Sequence, residues 1–248
     1  MQKGSVLKVR YSIKFSKESD IKFVSHLDLA KTIQRIVKRS GLPIKYSNGF
    51  NPHMAISIGQ PLSVGMYSIG EYLDIEFIEK LEEEFIKDTL NANLPSGIKI
   101  HEVVFIEERE NVKNPPQAMA IVEDAEYEIR IKYSNNKDVK QELELLLAKD
   151  EWRIVKKSKS GEKEVNIKPM VKDFHYSIIQ DVVLIGATIS CGSKENLSAQ
   201  LLAEFVNIHT TQVNKEAFVD IKRIEMYAYK NNERYPLYKL YQLNWFEI

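Results

Sequence analysis

Residues 7–15, Leu7-Lys8-Val9-Arg10-Tyr11-Ser12-Ile13-Lys14-Phe15, alternate apolar and polar side chains without a break. A period of two predicts a strand with one buried face, Leu7, Val9, Tyr11, Ile13 and Phe15 inward and Lys8, Arg10, Ser12 and Lys14 outward. Downstream the period changes. Leu29, Ile33, Ile36 and Val37 fall at i, i+4, i+7 and i+8, one apolar helical stripe, while Lys31, Arg35, Lys38 and Arg39 take the rest of the surface. Gly41 and Pro43 end that helix. Ile44–Tyr46 begins an extended stretch that turns at Ser47-Asn48-Gly49 and Asn51-Pro52 and resumes at Ala55–Ile58. After a Gly/Pro-containing loop from Gly59 to Gly70, Tyr72–Ile78 alternates again. Lys80–Asn91 then predicts a second helix with Leu81, Phe85, Ile86 and Leu90 inward, and Ile98–Ile106 a last strand. The order β-α-β-β-α-β is that of the ferredoxin-like split βαβ unit.

The pattern returns after residues 109–124, where the paired prolines Pro115 and Pro116 predict a linker or an extended crossing segment. Tyr127, Ile129, Ile131 and Tyr133 alternate with charged residues, and Ile131-Lys132-Tyr133-Ser134 echoes Ile13-Lys14-Phe15-Ser16. A helix with Val139, Leu143, Leu146 and Leu147 on one face follows. Strands at 152–157, 165–171, 175–178 and 182–190 come next, then a helix marked by Leu197, Leu201, Leu202 and Phe205 and a strand over 218–229. The expected fold class is α+β, with tandem ferredoxin-like (βαββαβ) units, the second carrying one or more extra strands. The expected boundaries are 1–108, a linker at 109–124, and 125–248 with an aromatic tail of Tyr235, Tyr238, Tyr241, Trp245 and Phe246.

Composition narrows the function classes. Of 248 residues, 44% are hydrophobic and 28% charged, which excludes a disordered or collagen-like chain. The single cysteine, Cys191, rules out an internal disulfide, a four-cysteine zinc site and a cysteine-ligated iron–sulfur cluster held by this chain alone. No run of about 18 apolar residues occurs, and the N-terminus alternates too early for a signal peptide, so the expected location is cytoplasmic. Thirty-five basic residues balance 35 acidic ones, but unevenly along the chain. Residues 1–50 hold 11 Lys/Arg against 3 Asp/Glu, and residues 51–120 hold 5 against 12. Such a basic start is either a nucleic-acid face or one of two complementary stretches.

The distinctive chemistry lies between residues 22 and 77: Phe23-Val24-Ser25-His26-Leu27-Asp28, Leu42-Pro43, Tyr46-Ser47-Asn48-Gly49-Phe50-Asn51-Pro52-His53, and Gly65, Gly70, Glu71 and Tyr72. These clusters, in this order, resemble the radical SAM-linked family, a bacterial domain of unknown function. Met54 stands where that family's pattern expects proline. The resemblance implies a partner: a radical SAM protein with a B12-binding-type domain, fused to this domain or encoded beside it. Because this chain lacks a cysteine triplet, the cluster and its radical chemistry are expected on that partner, and no cofactor or metal is expected here.

Three chemistries fit the same residues. Ser25, His26 and Asp28 suggest a catalytic triad, but Ser25 suits an N-cap and Asp28 the N3 position of a capping box. His26, His53 and Asp28 are donors for zinc or ferrous iron, yet no compact spacing such as HxxxH accompanies them. Lys31, Arg35 and Arg39, at i, i+4 and i+8, form a stripe able to follow phosphates. Lys8, Arg10 and Lys14 belong to the outward sheet face, where Asp74 and Glu76 of the neighbouring strand are expected to neutralise them in a solvated surface. The favoured expectation is a non-catalytic RNA-binding or substrate-presenting accessory protein. Lys31, Arg35 and Arg39 contact phosphate in it, beside a polar pocket of His26, Asp28, Tyr46, Ser47, Asn51 and His53. The alternatives are a metal-independent RNA endonuclease with His26 or His53 as general base, by fold-level analogy to CRISPR-processing enzymes, and a pure protein-interaction module docking through the aromatic tail.

Overall fold

Strand β1, Val9–Lys17, buries Tyr11, Ile13 and Phe15 completely, the side chains that the alternation directs inward. The computed structural model describes residues 9–158, 161–243 and 245–246, and of residues 157 and 158 the main chain alone. Leu7, Lys8, Lys159 and Ser160 lie outside the described residues, as does the Lys157 side chain.

The chain divides into two compact units, Met1–Val122 with Glu225–Ile248, and Glu123–Ile224. Both are mixed α and β, and the strand pairs whose registers are given below are antiparallel. In the first unit, β1 leads through a 3-10 turn at Ser19–Ile21 to α1 (His26–Ser40), then to β2 (Ile56–Ile58), β3 (Met66–Phe77), α2 (Glu83–Asn91), β4 (Ile98–Ile106) and the short α3 (Ala118–Ile121). The strands lie in the order β4-β1-β3, and β2 also pairs with β3. β1 runs antiparallel to β3 and β4, with Ile13 opposite both Leu73 and Val103, and β2 antiparallel to β3. Leu29, Ile33, Ile36 and Val37 of α1 and Ile86 and Leu90 of α2 belong to the core that Tyr11, Ile13 and Phe15 form with β3. Phe85, expected inward, is exposed. Ile86 and Leu90 are one helical turn apart and define the buried stripe, and Phe85 sits about 100° away from it.

Two local features hold this unit's periphery. β4 ends the strand order, yet its outer main chain is occupied. The Asn91 amide donates to the Ile100 carbonyl and accepts from its N–H (3.1 and 2.9 Å), and Glu83 accepts from the Phe105 N–H at 2.7 Å. At Gly97, φ is +90°, its carbonyl accepts from the Glu18 N–H, and a Cβ there would lie 2.7 Å from Ile21 Cγ2. Gly97→Ala is therefore expected to cost about 1–3 kcal/mol in urea unfolding, from left-handed strain plus overpacking.

The second unit runs β5 (Asp124–Lys132), α4 (Val139–Leu147), the hairpin β6 (Arg153–Ser158) and β7 (Gly161–Asn166), β8 (Val171–Ile179), β9 (Val182–Ser190), α5 (Ala199–His209) and β10 (Asp220–Lys230). Its strand order is β10-β5-β9-β8, with β6 and β7 pairing only with each other. β9 is antiparallel to both β5 and β8. Trp152 stacks on Phe205 (5.3 Å between centroids), meets Phe174 edge-on and donates its indole N–H to Leu146.

Within β10 the chain passes back to the first unit, so the C-terminal residues group there and not, as the sequence boundaries have it, with residues 125–224. β11 (Glu233–Pro236) pairs with β10, and α6 (Leu237–Gln242) follows. The physical reason is the apolar side of the tail: Leu237, Leu240 and Tyr241 are buried, and α6 touches β1 and β4. Among the described residues no helix is long and apolar enough to cross a membrane.

Candidate functional site

The approach to α1 is built around a buried lysine. Lys17 is 1% exposed, and its ammonium donates to the carbonyls of Lys22 and Val24 at 2.9 and 2.8 Å, while the Gly65 N–H also reaches the Lys22 carbonyl. These bonds fix the segment from which the helix starts. Ser25 is its N-cap: Oγ accepts from the Asp28 N–H at 3.2 Å and donates to Asp28 Oδ2 at 2.7 Å. The carboxylate is thereby engaged at the helix terminus, where it also complements the dipole. His26 makes no hydrogen bond among the described residues, so nothing there orients it as a base.

The exposed side of α1 carries Leu27, Lys31, Arg35, Lys38 and Arg39. Arg39 donates to the Asn93 carbonyl at 2.5 Å. Lys31, Arg35 and Lys38 take part in no ion pair or hydrogen bond among the described residues. Phe23 is exposed just before the helix.

The second motif is a turn. Ile44 bridges Phe77, the Lys45 N–H donates to Glu76, and Tyr46 bridges Met54. Between them Ser47 and His53 are tied twice: the Ser47 N–H donates to the His53 carbonyl at 2.8 Å, and the His53 N–H to Ser47 Oγ at 3.0 Å. It is the main chain of His53 that makes the turn. Gly49 adopts φ +138°, Asn51 is exposed, and the rings of Tyr46 and Phe50 face solvent, Phe50 completely. The six residues of the expected polar pocket come from two stretches of chain, His26 and Asp28 from the start of α1 and Tyr46, Ser47, Asn51 and His53 from this turn. Among the described residues no hydrogen bond or ion pair joins the two stretches, and no cluster of three or more His, Cys, Asp or Glu is arranged to hold a metal.

The outward face of β1 corrects an expectation. It is not solvated. Arg10, Ser12 and Ser16 are buried, Asp74 is 2% exposed, and residues 115–118 and α6 contribute contacts to this layer. Arg10 donates to the Pro115 carbonyl and lies 3.5 Å from Glu108, and the Ala118 N–H donates to Asp74 Oδ2 at 2.8 Å. The Tyr241 hydroxyl donates to the Pro116 carbonyl. The expected neutralisation of Lys14 by Asp74 or Glu76 does not form, because the register sets Lys14 opposite Tyr72 and Ser12 opposite Asp74. Lys14 pairs instead with Glu225 at 2.5 Å, beneath the Tyr238 ring, and Glu225 also accepts from the Tyr72 hydroxyl at 2.8 Å. Within the segment expected as a linker or an extended crossing segment, Pro115 and Ala118 are buried, whereas residues 109–113 are exposed.

Burial governs the electrostatics of this layer. It pushes the Asp74 carboxyl up to about 6, against the opposing pull of the Ala118 N–H and Arg10. It raises the Tyr72 phenol well above its usual value, helped by the Glu225 charge. It lowers His101, with Lys14 and Lys99 adding to the effect. The hydroxyls of Ser12 and Ser16 and Asp74 Oδ1 are buried there with no hydrogen-bond partner among the described residues. Nothing in the β1 alternation marks this layer, since a polar face reads the same whether water or a strap covers it.

Fold and surface together define a two-unit α+β protein with an exposed basic helix face, on which Lys31, Arg35 and Lys38 have no ion pair among the described residues, and with exposed aromatic side chains at Phe23, Tyr46 and Phe50. The chain belongs to a bacterial family described as "Uncharacterized protein conserved in bacteria (DUF2344)", whose profile matches residues 10–199. It is also similar to the crystal structure of an unknown protein from Galdieria sulphuraria, at 10% identity over 87% of this chain and 97% of that one. The TM-score is 0.25. No curated protein matches the chain.

Proposed function

We propose that this protein is a non-catalytic RNA-binding accessory of a radical SAM enzyme, with the exposed face of α1 as its phosphate-contacting surface. One observation carries the RNA reading: Lys31 and Arg35 are exposed with no acidic partner among the described residues, whereas Arg10 and Lys14 of the sheet are engaged internally. Arg39 extends the stripe, and a helix so charged suits a negatively charged backbone. The exposed rings of Phe23, Tyr46 and Phe50 offer stacking surfaces for unpaired bases. The radical SAM link is supported by the sequence resemblance alone, and the single cysteine is consistent with a cluster held by the partner.

The tandem ferredoxin-like architecture belongs to the same proposal. Its support is the shared connectivity of the two strand orders, β4-β1-β3-β2 and β10-β5-β9-β8, each fourth-first-third-second among the strands that form it, with β6 and β7 an insertion in the second. The endonuclease alternative has less support, because among the described residues neither the His26 nor the His53 imidazole has a hydrogen-bond partner to orient it.

The test is a fluorescence-anisotropy titration of a labelled single-stranded RNA at low salt. Wild type is expected to bind, and Lys31→Glu/Arg35→Glu/Arg39→Glu to lose at least tenfold in affinity. Equal binding by both proteins, or by neither, removes α1 as the RNA surface.

A further inference from the structure

The two outermost strands end their sheets differently. β4 has its outer main chain occupied by Asn91 and Glu83. β8 has no such cover. It is nine residues long and the last strand of the second unit's order, and among the described residues its main chain bonds to β9 alone. An open edge of that length is a template for a further strand.

We propose that β8 pairs antiparallel with β8 of a second copy of this chain, about a two-fold axis at His175. That register sets Asp173 opposite Ser177 and Phe174 opposite Tyr176. The pairing is regular from Asp173 to Ser177, and the bulge between Val171 and Asp173 falls at its two ends, opposite Ile178 and Ile179. It also sets Phe174 and Tyr176 as cross-strand aromatic pairs, twice by symmetry, and places neither Lys172 nor Asp173 opposite a like charge. Any extended chain can bond to an open edge. This self-complementarity of side chains is what selects a second copy.

The residue on the axis is prepared for it. His175 Nδ1 lies 3.1 Å from Asp173 Oδ2, and the ring folds inward over Gly186 of β9, its register partner. A Cβ at Gly186 would lie 2.1 Å from His175 Nε2, so the absent side chain is what lets the ring lie back from the edge. The pairing is isologous and closes on itself, producing a dimer and not a filament.

Sedimentation equilibrium on the full chain tests this, with Ser177→Lys and Ser177→Glu beside wild type. Ser177 is exposed, so both variants keep the fold, which circular dichroism checks. Wild type is expected to show a concentration-dependent dimer. Ser177→Lys, opposing Asp173 twice, is expected to tighten it about tenfold, and Ser177→Glu to weaken it by a similar factor. A wild type that remains monomeric up to its solubility limit overturns the proposal. So does a dimer that neither substitution moves. Should a variant fail to fold, amide exchange of residues 171–179 in wild type decides: protection that rises with protein concentration supports the edge pairing, and constant exchange refutes it.

Discussion

Glu225→Ala is expected to destabilise the chain by about 3 kcal/mol, and to do so through a charge left behind. Glu225 is buried and accepts from both Lys14 and Tyr72. Truncation leaves the ammonium against the Tyr238 ring without its counter-charge, and the Tyr72 hydroxyl without this acceptor, in a layer where both are largely buried. Lost attraction is the smaller part of the cost. Most of it is the desolvation that the pair had offset. Lys14→Met in the same chain should therefore recover a large share of the loss, because an apolar pair of similar volume needs no partner. Urea unfolding of the two single variants and the double measures this. Additive losses would mean that the two groups do not depend on each other.

Asp74 gives the second large effect, and its sign is opposite to the usual carboxylate. Its carboxyl is raised to about 6 in the folded chain from an ordinary 3.8. The native state therefore holds its proton more tightly than the unfolded state. The contribution to stability is fully present below pH 3.8 and is lost as pH rises through 6, a change of about 3 kcal/mol for two pKa units. Asp74→Asn removes the titration while keeping an acceptor for the Ala118 N–H. The stability difference between variant and wild type, taken from urea melts at pH 4 and pH 7.5, should shift by about 2–3 kcal/mol in favour of the variant at the higher pH. A difference independent of pH would show that burial does not raise the Asp74 carboxyl above its ordinary value.

Much of this fold is legible in the residues. The unbroken alternation of β1, the stripe on α1 and the stop at Gly41 specify each element locally, and the structure forms all three. Ser25 and Asp28 are readable as a cap for the same reason, since their bonds span only three residues. What escaped depends on distant chain. That the polar face of β1 is covered requires residues 115–118 and 237–241 to return across it, and no local period encodes a return. Lys17 falls at an inward position of the β1 alternation, and what lets a lysine be buried there is not local: the carbonyls of Lys22 and Val24 converge on its ammonium. The return of residues 225–248 to the first unit is likewise set by where Leu237, Leu240 and Tyr241 find apolar surface. At the candidate site, the basic stripe was visible from spacing alone, whereas the double tie between Ser47 and His53 was not, because it runs through main-chain groups.

The salt dependence of RNA binding tests the phosphate-contacting role of α1 most directly. Anisotropy titrations of a labelled single-stranded RNA over a series of salt concentrations yield the slope of log K against log salt. Three contacts, from Lys31, Arg35 and Arg39, predict a slope of about −2, and each replacement by glutamine should reduce its magnitude by about 0.7. A slope near zero, or one that all three replacements leave unchanged, would contradict the account.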